Sequence, residues 1–168
     1  MSVLFTLLCL NNHQVPASLA AATQSELVKS MIEDCTDSET IQIPLFEINN
    51  LDLFTMMVSW CEYHVQDPAF VYTGDNTKGK KYVDIVSEYD RVFIDSMTKI
   101  QLVKMLKMAS YMQIDTLVSL LSYTIGNIIG SKSMEATREW LEIDRDITNE
   151  EEYEIRQQHP NVFLSSEI

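Results

Sequence analysis

The chain has 168 residues, 46% hydrophobic and 22% charged, which suits one domain with an appendage and excludes wholesale disorder. A chain of this length buries about two-thirds of its unfolded surface without a disulfide or metal staple. Its three cysteines, Cys9, Cys35 and Cys61, form no CxxC pair, so a reducing compartment is expected, cytoplasm and nucleus. With 25 acidic against 12 basic residues the net charge is −13, a poor match for a phosphate backbone or an anionic bilayer; neither nucleic acid nor membrane is expected as a partner.

Residues 3–10 (VLFTLLCL) read as a buried strand. No Lys or Arg precedes them, as a signal sequence would require, and the run is far below the roughly 20 apolar residues of a membrane span. Gln14 and Val15 begin a second strand that Pro16 is expected to end, and the small residues 17–22 suit a short helix. Ser25 is a helix N-cap, followed by the stripe Leu27, Val28, Met31 and Ile32 to about Asp34. Ile41, Ile43 and Leu45 alternate as in a half-buried strand. Asn50 caps a helix carrying Leu53, Met56, Met57, Trp60 and Cys61 down to His64, with Asp67-Pro68 beyond it as a stop. Residues 66–84 lack an apolar period and contain Gly74, Gly79, Lys78, Lys80 and Lys81, which predicts a mobile surface loop with a solubilising tip.

Beyond the loop, Leu102, Met105, Leu106 and Ala109 mark a helix over 98–111. Leu117, Leu120, Leu121, Thr124, Ile125, Ile128 and Ile129 mark a second that Gly130 ends, and the short link between them predicts a tight hairpin. Ser133 caps a helix over 134–141. Thr148 and Glu151 form a capping box, the hydroxyl accepting from the Glu151 amide while the carboxylate reaches back. These last helices are short and poor in apolar residues, so they need a cover. Charge is segregated along the chain: −8 over 1–68, +2 over 69–134 and −7 over 135–168.

Motifs that carry chemistry are missing. The four glycines fit no phosphate-binding frame, and no GxSxG elbow exists. Cys61 and His64 share a helical face, but a structural zinc site needs four ligands and no matching pair stands elsewhere. The stretch from Asp144 opens like a calcium loop, then places Asn149 where Gly is needed and Ile155 where a bidentate Glu is needed. No enzyme, metal or cofactor is expected.

Four words in order carry a family resemblance. Val58-Ser59-Trp60-Cys61-Glu62-Tyr63-His64 resembles V-x-W-C-x-x-H, and Tyr89-Asp90-Arg91-Val92-Phe93-Ile94 resembles W-D-x-x-F-L. Ala109-Ser110-Tyr111-Met112-Gln113-Ile114 is similar to A-N-Y-L-D-I, and Thr148-Asn149-Glu150-Glu151-Glu152 with Arg156 to T-x-E-E-E followed by V-R. Together, over residues 3 to 158, they resemble the Skp family, adaptors of SCF (Skp–cullin–F-box) ubiquitin ligases with a BTB/POZ fold.

The resemblance implies an α/β fold: a BTB/POZ-like domain at 1–130, a small sheet flanked by helices, and an F-box-binding helical extension at 131–168. It implies a non-catalytic adaptor whose partners are F-box proteins and a cullin, with a homodimer as a further expectation for the free chain. Carried over by position, Ser110 and Tyr111 would face the cullin. Leu117, Leu120, Leu141, Ile143 and Ile155 would face the F-box, with Phe163 standing in for a C-terminal Trp of the family. Short amphipathic tail helices with an underused apolar face agree with this. The chain departs from the family at Ser110, where the family has Asn, and at Met134, where some relatives carry a proline. Its basic Lys78, Lys80 and Lys81 replace a usually acidic loop. The rival readings are a BTB-type dimerisation or scaffold protein without a ligase role, and a small acidic enzyme.

Overall fold

A computed structural model of the chain describes residues 4–8, 14–34, 40–41, 50–68, 71–72, 77–143 and 148–158. It divides into two compact units, Met1–Asn127 and Ile128–Ile168.

The first unit begins with β1 (Leu4–Leu8) and β2 (Gln14–Ser18), an antiparallel pair with Thr6 opposite Pro16. β3 (Thr40–Ile41) pairs with β1 in parallel, giving the order β2-β1-β3. Pro16 does not end its strand as expected. β2 is at the edge of the described sheet, where a residue without an N–H is tolerated, and Pro16 is exposed while Val15 and Ala17 point inward. The expected short helix consequently starts later, as α1 (Leu19–Ala22), capped by the Ser18 hydroxyl. Beyond Ile41 the third strand expected lies outside the described residues. The expected α/β class is weighted toward helix, because the described sheet is three short strands.

Helix α2 (Glu26–Asp34) is capped as expected, the Ser25 Oγ accepting from Val28 N–H at 3.2 Å. In α3 (Leu51–His64), Asn50 Oδ1 accepts from Leu53 N–H at 3.1 Å. α3 buries Leu53, Phe54, Met57, Val58, Trp60, Cys61 and His64, a wide arc that suits the central helix of a core. Glu62 anchors it to the sheet by accepting from the backbone N–H of Ser18 at 2.5 Å and its hydroxyl at 2.8 Å.

The expected mobile loop is partly built structure. α4 (Tyr82–Ile85) forms within it, and its aromatic residues reach α7 (Asp115–Gly130). Tyr123 stacks on Tyr72, at 4.9 Å between centroids and 6° between planes, and on Tyr82, at 5.8 Å and 19°. Ser119 Oγ accepts from the Tyr72 amide, and the Tyr82 hydroxyl lies 3.1 Å from Thr124 Oγ1. Tyrosines at irregular spacing produce no period, so the sequence pattern hides this anchorage. α5 (Glu88–Asp95) and α6 (Lys99–Tyr111) follow, and α6 starts with a capping box between Thr98 and Gln101. It buries Leu102, Met105, Met108 and Ala109, with the expected Leu106 only half-buried.

The second unit contains the end of α7, then α8 (Met134–Leu141) and α9 (Asn149–Gln158). Ser133 caps α8, and the expected box at Thr148 is present: Glu151 N–H donates to Thr148 Oγ1 at 3.2 Å, and Thr148 N–H to Glu151 Oε2 at 2.8 Å.

Candidate partner-binding surfaces

The end of α6 is fixed by backbone geometry. Gln113 turns left-handed at φ 55°, Ile114 N–H donates to Ala109 O at 3.0 Å, and Gln113 N–H donates to Ser110 O at 3.2 Å. This double closure ends a helix while turning the chain sharply into the next one. The start of α2 holds the same turn: the Ser25 hydroxyl donates to Met112 O, and Glu26 N–H donates to Gln113 O at 3.3 Å. Ser110 and Tyr111 sit on this braced corner, both exposed, Tyr111 at 37%. A corner held by four hydrogen bonds presents an aromatic ring with little ordering cost on binding.

Leu117 and Leu120, expected to face an F-box, require correction. They are 0% and 1% exposed and form one buried stripe with Leu121 and Thr124. An apolar arc as wide as that of α7 fixes which residues are apolar, but not which edge of the arc is the core. In the chain alone these two leucines are core.

In the second unit the expected residues are at the surface. Glu142 at φ 55° closes α8 by the same device, with Ile143 N–H donating to Arg138 O at 3.0 Å, which carries Ile143 out of the helix at 52% exposure. Leu141 is exposed on the last turn of α8 and Ile155 on α9, at 39%. The carboxyl of Glu135 is held below its usual range, first by a hydrogen bond to its own backbone N–H at the start of α8, with Arg138 and Arg156 adding to it. Phe163 lies outside the described residues.

Two of the four sequence words meet inside the first unit. Asp90 Oδ1 accepts from the Trp60 indole N–H at 2.8 Å and lies 3.1 Å from His64 Nε2. Asp90 Oδ2 accepts from the Ser87 hydroxyl at 2.9 Å, and His64 Nδ1 lies 2.5 Å from the Asp67 carbonyl. Trp60, His64 and Asp90 are all buried. This network locks α5 against α3; it is a structural latch rather than a surface. Sequence reading found the words without their connection, since nothing in either spacing links positions 26 and 30 residues apart. Beside it, burial first and the Glu62 charge second push the Cys61 thiol up to about 12. Among the described residues, no group of three or more His, Cys, Asp or Glu is arranged to hold a metal, and no helix is long and apolar enough to cross a membrane.

Comparison with known proteins bears on both units. A family model described as the Skp1 family tetramerisation domain, of POZ type, matches residues 5–66, and one described as the Skp1 family dimerisation domain matches 115–162. Ser110 and Tyr111 fall between the two matches. An "E3 ubiquitin ligase complex SCF subunit sconC" of Arthroderma benhamiae is 33% identical over 147 residues, 87% of each chain. A protein of the same name from Talaromyces marneffei is 28% identical over 159 residues, 95% of this chain and 96% of that one. The "SCF ubiquitin ligase complex protein SKP1a" of Dictyostelium discoideum is 32% identical over 140 residues, 82% of each.

Proposed function

The chain belongs to the Skp1 family, and from that premise we propose that it is a non-catalytic adaptor joining F-box substrate receptors to a cullin scaffold in an SCF-type ubiquitin ligase. Residues 131–168 form the F-box-binding extension, with Leu141, Ile143 and Ile155 as its described apolar contacts and Phe163 as a further one. Ser110 and Tyr111 form the centre of the cullin face. The sheet and helices over 1–130 serve as the α/β, POZ-type platform that holds that corner rigid. Without partners, the same exposed faces suit a second copy of the chain.

The observation that carries the reading is the state of the second unit. It keeps Leu141, Ile143 and Ile155 at the surface, while none of its described residues is fully buried. Covering a side chain of this size contributes about 1.5–3 kcal/mol, so an apolar helix-bearing partner gains where the free chain does not. The test is a calorimetric titration of the full chain with an F-box peptide. Wild type binds; Ile155→Asp loses about tenfold or more in affinity with the melting temperature unchanged. Normal binding by Ile155→Asp, or no binding by wild type, rejects the F-box assignment. A protein acting only as a POZ-type dimerisation module would take up neither the F-box peptide nor a cullin N-terminal segment.

A further inference from the structure

The face of α6 opposite its buried stripe has its own pattern. Ile100, Lys104, Lys107 and Tyr111 follow one another at i, i+4, i+7 and i+11, within an arc of about 60° and a length of about 16 Å, and all four are exposed. α6 contains three lysines and no Asp or Glu, in a chain with twice as many acids as bases. Residues 78–107 hold seven of the chain's twelve basic residues. Lys104 and Lys107 form no ion pair among the described residues, so no described carboxylate takes up their charge.

We infer that this stripe selects the partner at the α6 corner by charge, taking a protein surface whose acidic side chains lie between two apolar positions. The inference rests on the reading that Ser110 and Tyr111 face the cullin, and adds what that partner must present. Ile100 and Tyr111 at the two ends supply apolar area, and the lysines between them supply sign. A chain of net charge −13 repels acidic surfaces at long range. A local basic stripe between apolar anchors reverses that over the docking face, and it disfavours a partner with lysines in the same place.

The experiment measures binding of the full chain to a cullin N-terminal segment between about 0.05 and 0.5 M NaCl, a range that shortens electrostatic reach severalfold. It compares wild type, the double variant Lys104→Glu with Lys107→Glu, and Tyr111→Lys. The substituted positions are exposed, and thermal melts check that each variant folds. The expected result is that the double variant binds about tenfold or more weakly at low salt and loses the salt dependence that wild type shows. If Tyr111→Lys weakens binding but the double variant does not, the corner binds the cullin without charge selection and the inference is overturned alone. If no variant differs from wild type, the cullin face itself is misplaced and both readings fall. If the double variant loses affinity only for heparin, the lysines are a general polyanion site and the inference is again overturned.

Discussion

In Met1–Asn127, Phe54, Trp60, Met105 and Leu117 have no accessible surface, whereas in Ile128–Ile168 not one described residue is fully buried. Both units use the same local devices: a hydroxyl N-cap, a capping box, and a left-handed residue closing a helix at Gln113 and at Glu142. Good local chemistry is therefore not what separates them. The first unit spends its apolar residues on itself and fastens polar groups beneath them. The second leaves Leu141, Ile143 and Ile155 at the surface and Trp140 only half-buried, and helices of eight and ten residues are marginal in water without a cover. An adaptor of the proposed kind would benefit from this division, since a rigid platform would present one corner while a lightly built extension would gain its stability on binding.

The contrast breaks most sharply at Asp90. Asp90→Ala removes the acceptor of Trp60 and leaves His64 without its carboxylate neighbour, and should destabilise the chain by about 1–3 kcal/mol for each buried polar group left unpaired, read in urea denaturation, whereas Glu154→Ala on α9 should stay within about 0.5 kcal/mol. Equal effects would mean that the latch contributes nothing. Next come two leucines of identical chemistry. Leu117→Ala should cost about 2–5 kcal/mol and Leu141→Ala within about 0.5 kcal/mol, in the same urea denaturation. A costly Leu141→Ala would show that the second unit has an internal core after all.

Cys61 sharpens the comparison through pH. Its thiol is raised from the ordinary 9.0 to about 12, so the native state holds a proton that the unfolded chain releases. The stability this contributes is fully present below pH 9 and is lost as pH rises toward 12. Relative to Cys61→Ala, wild type should lose about 1 kcal/mol per pH unit just above pH 9. A flat difference would place the thiol in contact with solvent. The smallest free energies belong to α9. Amide hydrogen exchange in the free chain should leave its amides nearly unprotected, while those of α3 exchange only with global unfolding. Strong protection of α9 in a verified monomer would count against an extension ordered by its partner.

Legibility in the sequence followed the range of the interaction. The caps at Ser25, Asn50, Ser133 and Thr148 were readable because each joins residues three apart, a reach that sequence spacing encodes directly. The surface positions of Tyr111 and Ile155 came from the family resemblance rather than from spacing, and both residues are exposed. Phe163 and the strand expected beyond Ile41 lie outside the described residues. The Trp60–Asp90–His64 latch and the Tyr72–Tyr123–Tyr82 stack went unread, because each joins elements that no local period connects.

By itself, then, the sequence determined where the capped helices α2, α3, α6, α8 and α9 begin, which residues are apolar, and that four short words stand in the order of the Skp family. Tertiary structure decided which apolar residues became core. Leu117 and Ile155 both read as candidates for a partner, and burial drew the line between them: Leu117 lies on the stripe that α7 buries, and Ile155 remains exposed on α9. It also allowed Pro16 inside a strand, because only the sheet order makes β2 an edge of the described sheet. The physical reason is common to these cases. Propensity and capping act over three or four residues and are written along the chain, whereas burial and sheet position depend on neighbours brought from elsewhere in it.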